Sequence, residues 1–600
     1  MKRFISVIVV CVMVSVVILG GCKNGDVKTR ITDERTLTNY EYTLLNLSAT
    51  DKEGRSVRLS DAEIKDSFVG LFYHIWLGND HTRNYKRVYD ITQLLKNDPD
   101  SLWDIRGNDA SPVGSFHHWG EPLYGYYCSS DPYVLRRHAE LLTMAGVDYL
   151  VFDTTNSYVY AETVNALLEI FKEYHDMGWK VPKLAFYCNT HSSPTMRTIY
   201  ENWYKDGRYN DLWFSLDGEK PLIIGALNEL TEAQYELYST VFDMRSSQWP
   251  YGMNADYENG FPWMDWDYPQ KNYNGTMSVS LAQHPGARMS QGRISNNGRG
   301  FDYATFRNKS SNTALGTNFA GQFATVFNNN ADPTLKKVNN VFITGFNEWK
   351  AIKYQDGESV FFVDTFNEEY SRDIEMMKGG YADNYYLQMS DYIKAFKYTE
   401  VKRYKYNVAS VDINDATFAG FARAARFSDF TGEAAIRNYS DAFGTTTYVD
   451  NSGRNDIKDV YVVHDKDYLY IKAETVNDIV AYNGTDENWM TVLLSTEKSA
   501  EKSFGGYDFI INRSPKANGK TSLEKSVGGY NWVGAGEAEY RVYKNAVVYR
   551  IPLSALGLSE NSCYVKIKVN DNITKYDDIM DYYVSGDSAP IGRLGYVYGY

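Results

Sequence analysis

Short apolar runs alternate with amphipathic stretches from about residue 67 to residue 398. Val69-Gly70-Leu71-Phe72-Tyr73-His74-Ile75-Trp76 has the length and composition of a strand and ends on His and Trp. Asp131-Pro132 opens a helix whose apolar positions include Val134, Leu135, Leu141 and Leu142, and Gly146 closes it. Val147 to Asp153 is the next strand, and Tyr160 to Met177 the next helix, with Val164, Leu167, Leu168 and Phe171 on one side. Lys183 to Asn189, Pro221 to Gly225, Met277 to Leu281 and Val341 to Thr344 continue the series of strands. Strand–helix alternation predicts a parallel sheet with covering helices. Polar and aromatic residues gather after strand C-termini, which favours an α/β fold of the (β/α)8 TIM-barrel type. A doubly wound open sheet also alternates, but no Gly-rich phosphate loop follows any strand.

The pattern changes after about residue 398. From Thr446 onward short alternating strands dominate, among them Val460 to His464, Tyr468 to Glu474, Trp489 to Ser495, Tyr507 to Asn512, Tyr540 to Ile551 and Tyr564 to Val569. This spacing predicts an all-β sandwich at residues 405–600 behind a barrel at 67–398. The N-terminus reads differently again. Lys2 and Arg3 precede an apolar core from Phe4 to Ile18, and Leu19-Gly20-Gly21-Cys22 follows. The core is too short for a membrane span and reads as a secretory signal over residues 1–21. It resembles the lipobox of bacterial lipoproteins, which implies lipidation at Cys22 and a lipid anchor at the bacterial cell envelope, at the outer membrane or cell surface. Residues 22–66 then form a polar tether and the lead into the barrel.

Aromatic residues are 15% of the 600, with 51 Tyr and 12 Trp, a surplus common where a protein grips carbohydrate. The net charge of −14 argues against nucleic acid as a partner. Beyond the signal and Cys22, Cys128, Cys188 and Cys563 are too few and too scattered for a disulfide framework, and no pair has metal-site spacing.

Candidate chemistry sits at predicted strand ends: His74, Asp153, Asn189, His191 and Glu348. On one face of a barrel these would converge on a pocket. Each has an ordinary alternative; Asp153 equally suits orienting the chain through Thr154 and Thr155. The loop from Gly114 to Tyr127 carries His117, His118, Trp119, Glu121, Tyr124 and Tyr126, and reads as a sugar-contacting or aromatic-packed loop. Adjacent histidines point to opposite sides of an extended chain, which disfavours a metal there. Phe261 to Tyr268, with Trp263, Asp265 and Trp266, suits a cleft wall. Arg372 among Asp364, Glu369, Asp373 and Glu375 reads as an ion-pair cluster orienting the loop that holds Glu348.

These stretches resemble the glycoside hydrolase family 71/99-like proteins. The resemblance is carried by Val69 to Trp76, His118-Trp119-Gly120-Glu121-Pro122-Leu123-Tyr124-Gly125-Tyr126-Tyr127, Val151 to Asn156, and Phe346-Asn347-Glu348-Trp349. It implies a (β/α)8 fold and action on α-linked glycans, with no cofactor. In family 99 two glutamates stand in an Asn-Glu-Trp-x-Glu arrangement. Here Asn347, Glu348 and Trp349 match, but Ala351 stands at the second acid. Hydrolysis needs two carboxyl roles, so either another carboxylate partners Glu348, with Glu121, Asp153 and Asp265 as candidates in that order, or the chemistry differs. A non-catalytic glycan-binding lipoprotein is the alternative. Tyr73, His74, Trp76, His118, Trp119, Tyr124, Tyr126, Asn156, Asn189, His191, Trp263, Trp266, Asn347 and Trp349 are the candidate substrate contacts. Residues 405–600 look like a family 9 carbohydrate-binding module, through Gly453 to Ile457, Asn488 to Met490 and Gly506 to Phe509. Trp489 and Trp532 are its candidate sugar-stacking residues, and Asp450 to Gly453 is too generic to claim calcium.

Overall fold

The eight parallel strands are β1 (Phe68–Tyr73), β2 (Tyr149–Asp153), β3 (Lys183–Tyr187), β4 (Leu222–Gly225), β5 (Asp243–Gln248), β6 (Gly260–Pro262), β7 (Thr276–Ser280) and β8 (Asn340–Thr344). In this computed structural model they pair in the order β7-β8-β1-β2-β3-β4-β5-β6. The described residues are 37–78, 87–250, 255–285, 288–290, 296–401, 408–496 and 502–599. β6 and β7 pack side by side without a ladder among the described residues, so the (β/α)8 barrel is nearly closed. The covering helices are α1 (Pro132–Ala145), α2 (Ala161–Met177), α3 (Ser192–Ile199), α4 (Glu232–Val241), α5 (Thr317–Ala331) and α6 (Asn384–Lys397). Among the described residues β5 and β6 have no covering helices of their own. The ends of α1 follow its residues. Asp131 caps it by accepting the amide of Tyr133 (3.1 Å), Pro132 needs no partner at the first position, and Gly146 turns out at φ 82°.

Both faces of a parallel sheet are covered, so its strands read as continuous apolar runs. The two-residue repeat nevertheless sorts the side chains. Phe72, Tyr149, Val151, Ala185, Tyr187, Ile224 and Phe342 fill the barrel interior. Leu71, Leu150, Phe152, Leu184, Phe186, Ile223 and Ile343 pack outward with the helices. Gly70 is required by this packing, since a Cβ there would lie 2.1 Å from the ring of Tyr149, its partner across the ladder. Inward parity carries Asp153, at the end of β2, toward the barrel mouth.

The second region is antiparallel. Twelve strands form one sheet that rolls until its ends meet, with His464 Nδ1 and Tyr598 OH 2.6 Å apart. Tyr540 to Ile551 is two strands, Asn531–Tyr543 and Ala546–Pro552, joined by a two-residue turn at Lys544-Asn545. Part of the expected tether is woven into the fold. Leu47–Ser48 pairs with Gly595–Tyr598, and Ser60–Glu63 pairs with Tyr398–Glu400. Residues 37–600 form one compact unit, in which the barrel and the β-region share buried ion pairs. Arg437 pairs with Asp131 at 2.8 Å, and Arg593 with Asp383 at 2.7 Å. The signal and Cys22 lie outside the described residues. Among the described residues no helix is long and apolar enough to cross a membrane.

Candidate active site

The C-terminal mouth of the barrel opens into a cleft of about 360 Å³. Its acids are Glu348, Asp153 and Asp364, its cations Lys350 and Arg372, and its walls include Phe72, Trp76, Phe116, Trp249 and Trp263.

Glu348 is placed by the turn after β8. Gly345 sits at φ 101°, and a Cβ there would meet the side chain of Arg372 at 2.7 Å and its carbonyl at 2.9 Å. Asn347 clamps the backbone of His74, accepting its N–H (2.9 Å) and donating to its carbonyl (3.0 Å). The amide of Glu348 donates to Asp373 Oδ1 at 2.8 Å. Trp349 stacks on Trp119 with ring centroids 4.4 Å apart, and its indole donates to Glu375 Oε2 at 2.5 Å. The indole of Trp119 donates to the carbonyl of Glu348 at 3.2 Å. Backbone and neighbours are thus held on every side, leaving the carboxylate aimed at the cleft.

Arg372 ties that carboxylate to a second one. Its Nη2 pairs with Glu348 Oε2. Its Nη1 donates to the carbonyl of Asp364 (2.8 Å) and lies 3.6 Å from Asp364 Oδ1. The guanidinium also lies over the ring of Trp263, 5.0 Å from its centroid. Burial pushes the Glu348 carboxyl well above its ordinary range. Arg372 pulls against this, while Asp364, Asp373 and Asp153 push further up. Asp364 is 35% exposed on its side chain and adopts φ 69°, an uncommon conformation for a non-glycine residue. Asp153 is fully engaged. Its Oδ2 accepts the Trp76 indole (3.0 Å), and its Oδ1 accepts the amide and hydroxyl of Thr155 (3.1 and 2.7 Å).

Position 351 also takes a definite place. Lys350–Asp356 pairs antiparallel with Phe116–His118, and alternation sends Lys350, Ile352 and Tyr354 to the cleft. Ala351 is buried on the opposite face, so an acid at that position of this strand would point away from the cleft.

The structure brings together Glu348, Asp153, Trp76, Asn156 and Trp263 from the expected set. Asn347, Trp349 and Trp119 form the frame behind them. Tyr73 has outward parity, and its hydroxyl meets His138 Nδ1 at 2.7 Å on α1 rather than the cleft. His74 is buried, and burial next to Lys350 drives its pKa well below the ordinary value. His118 packs against Tyr126 and Phe443, and Tyr124 donates to the carbonyl of Tyr583, which turns this part of the loop toward the β-region. Glu121 does not line the cleft; it is ion-paired with Lys378 near the surface. Asp265 is buried, accepting the amides of Asp267 and Lys271, and Trp266 sits beside His284. Asn189 accepts a hydrogen bond from Ser247 (2.9 Å), and exposed His191 opens α3. In the β-region Trp489 is buried and donates to the Val480 carbonyl, so it presents no sugar-stacking face. Trp532 is half-buried against Phe504 and Tyr530.

Sequence reasoning missed Trp249, which stacks on Trp263 at 3.9 Å, because β5 reads as Asp-Met-Arg-Ser-Ser-Gln with no apolar run. It also assigned Asp364 and Arg372 to an ion-pair frame, whereas both line the cleft itself.

No protein-family model matches the chain, and no curated protein matches it. Among solved structures it is similar to the GH99 endo-alpha-mannosidase from Bacteroides thetaiotaomicron, in two forms. The form with BIS-TRIS-propane aligns at 15% identity and TM-score 0.28, covering 56% of this chain and 98% of that one. The other aligns with the same identity and coverage at TM-score 0.30. At that similarity nothing is carried over to this chain.

Proposed function

We propose that this chain is a glycoside hydrolase acting on α-linked glycans, with Glu348 as the proton donor and Asp364 as the second carboxylate. The observation that carries the reading is that both acids bracket Arg372 in one aromatic-walled cleft at the C-terminal mouth of a (β/α)8 barrel, where such folds place their chemistry. Burial of Glu348 opposes its ionisation, which suits a donor to the leaving oxygen. Asp364, more open to solvent, suits activation of water or of a sugar hydroxyl, and Trp249 and Trp263 offer flat apolar faces for a ring. In this reading Cys22 carries a lipid that holds the enzyme at the cell envelope, and the β-region is a glycan-binding module that keeps it on polysaccharide.

The second reading is a non-catalytic glycan binder. Its support is the ion pair itself, since a guanidinium on Glu348 opposes its protonation. The two separate on one assay. The mature protein, Glu348→Gln and Asp364→Asn are incubated with α-mannans, α-glucans and mixed plant and host glycans. Reducing ends released by wild type, and lowered at least a hundredfold in each variant, support the enzyme. Binding without product from wild type across the panel leaves the binder.

A further inference from the structure

Where α1 meets the β-region, a group of acids is buried that the cleft does not use. Asp429 and Glu433 follow the strand Ala425–Ser428, and Asp587 opens the strand Asp587–Ala589. One carboxylate oxygen from each lies within 4.8 Å of the others. All three residues are buried, the Glu433 and Asp587 side chains meet each other, and among the described residues no donor reaches Asp429 Oδ2, Glu433 Oε2 or Asp587 Oδ1. Two of the remaining oxygens are in use: Tyr596 OH donates to Asp429 Oδ1 at 2.9 Å, and the Ile457 amide donates to Asp587 Oδ2 at 2.5 Å.

A fourth buried carboxylate acts on the same group from outside the β-region. Glu140, from α1 of the barrel, is 1% exposed, and among the described residues neither of its oxygens has a hydrogen-bond partner. Its charge is among the strongest acting on Asp429 and on Glu433, and that of Asp587 is the strongest carboxylate acting on it. Asp456 adds a further carboxylate with one orphaned oxygen, its other accepting the Gly432 amide. The local cations do not balance this. Arg137 Nη1 stops 3.6 Å from Glu140, and Nη2 donates to the Gly586 carbonyl. Lys568 spends its ammonium on Ser588 Oγ and the Pro590 carbonyl. Five carboxylates face two cations.

Uncompensated buried carboxylates are costly, and either protons or a cation must neutralise them. The donors are all hard oxygens, without His or Cys. Oxygens that share one calcium at 2.3–2.6 Å lie up to about 5 Å apart, which suits this spacing. We propose that Asp429, Glu433 and Asp587, with Glu140 closing the site from α1, bind one divalent cation of the calcium class that fastens the barrel to the β-region.

The test uses the full mature chain, stripped with chelator at pH 7.5 and titrated with calcium alone, magnesium alone and zinc alone. Expected are one calcium per chain by mass spectrometry and calorimetry, a saturable rise in melting temperature, and at least tenfold weaker binding of magnesium. Glu433→Gln and Asp587→Asn each weaken calcium at least tenfold. The wild-type measurements stand even where a variant fails to fold. Absence of stoichiometric calcium, with a stability that falls from pH 5 to pH 8 and is not restored by calcium, assigns neutralisation to protons and overturns the proposal. Undiminished calcium binding in the folded Glu433→Gln and Asp587→Asn variants overturns it equally.

Discussion

Replacing Arg372 with Met isolates the ion pair at the centre of the cleft. Arg372 is 2% exposed, and Glu348, at 10% on its side chain, keeps little water of its own. Removing one partner of a buried pair costs about 3–5 kcal/mol. The cleft gives Glu348 some access to solvent, which places the cost near the lower end. Without the guanidinium, the one group pulling it down, the Glu348 carboxyl rises further still. Glu348 is already pushed up in the folded chain. The proton it holds there contributes stability at acid pH that is lost as pH rises through its folded value. In Arg372→Met the same carboxyl stays protonated to higher pH. The variant therefore lies nearest to wild type at pH 5 and falls progressively behind toward pH 9. Thermal unfolding at one-unit steps measures this, and the alkaline limb of any residual glycosidase activity moves upward with it. A stability deficit that does not change with pH, or a limb that moves downward, refutes the pairing of Arg372 with Glu348.

Gly345→Ala sets a Cβ against Arg372 at φ 101°, and about 2 kcal/mol of stability is lost together with activity, as thermal unfolding and product release report. Trp249→Ala removes a half-buried ring stacked on Trp263; glycan affinity by calorimetry drops about tenfold, near 1.4 kcal/mol, with a small change in melting temperature. Glu121→Gln breaks only a part-exposed pair with Lys378; stability changes by less than about 1 kcal/mol and turnover is unchanged. Asn347→Ala frees both backbone groups of His74, costs about 2 kcal/mol in denaturant unfolding, and lowers turnover more than it weakens binding.

Glu348 and Asp153 were legible because a strand end is a local feature: an apolar run stops and a carboxylate follows. Tyr73 was misplaced because a run buried on both faces hides its parity, and only the neighbours Gly70 and Phe72 reveal which side is the interior. β5 and β6 escaped notice because Asp243–Gln248 and Gly260–Pro262 are short, and the first is polar. Asp364 lies sixteen residues beyond Glu348, and the hairpin of Lys350–Asp356 with Ser359–Phe362 folds it back to the cleft. A charge cluster in sequence carries no sign of such a return. Trp489 shows the opposite failure, since an indole that fills the core of a β-sheet region has the same local sequence as one that grips a sugar.

The loop from Gly114 to Tyr127 gives the cleft and the β-region a common part. Its first segment, Phe116–His118, pairs with Lys350–Ile352, and Phe116 enters the cleft wall. Its last segment leaves in the other direction. Tyr126 accepts the Ala442 amide on its carbonyl at 2.8 Å, and its own amide donates to Tyr448 OH at 2.9 Å. Between them His118 rests on Phe443, and Lys350 stands 5.9 Å from the centroid of the same ring while its side chain borders the cleft. A ligand that displaces Lys350 must therefore work against a residue of the β-region. With Arg437 and Arg593 holding the two parts together through buried acids, the β-region cannot swing on a tether as an independent module would. Its position is fixed against the loop and the strand that shape the cleft.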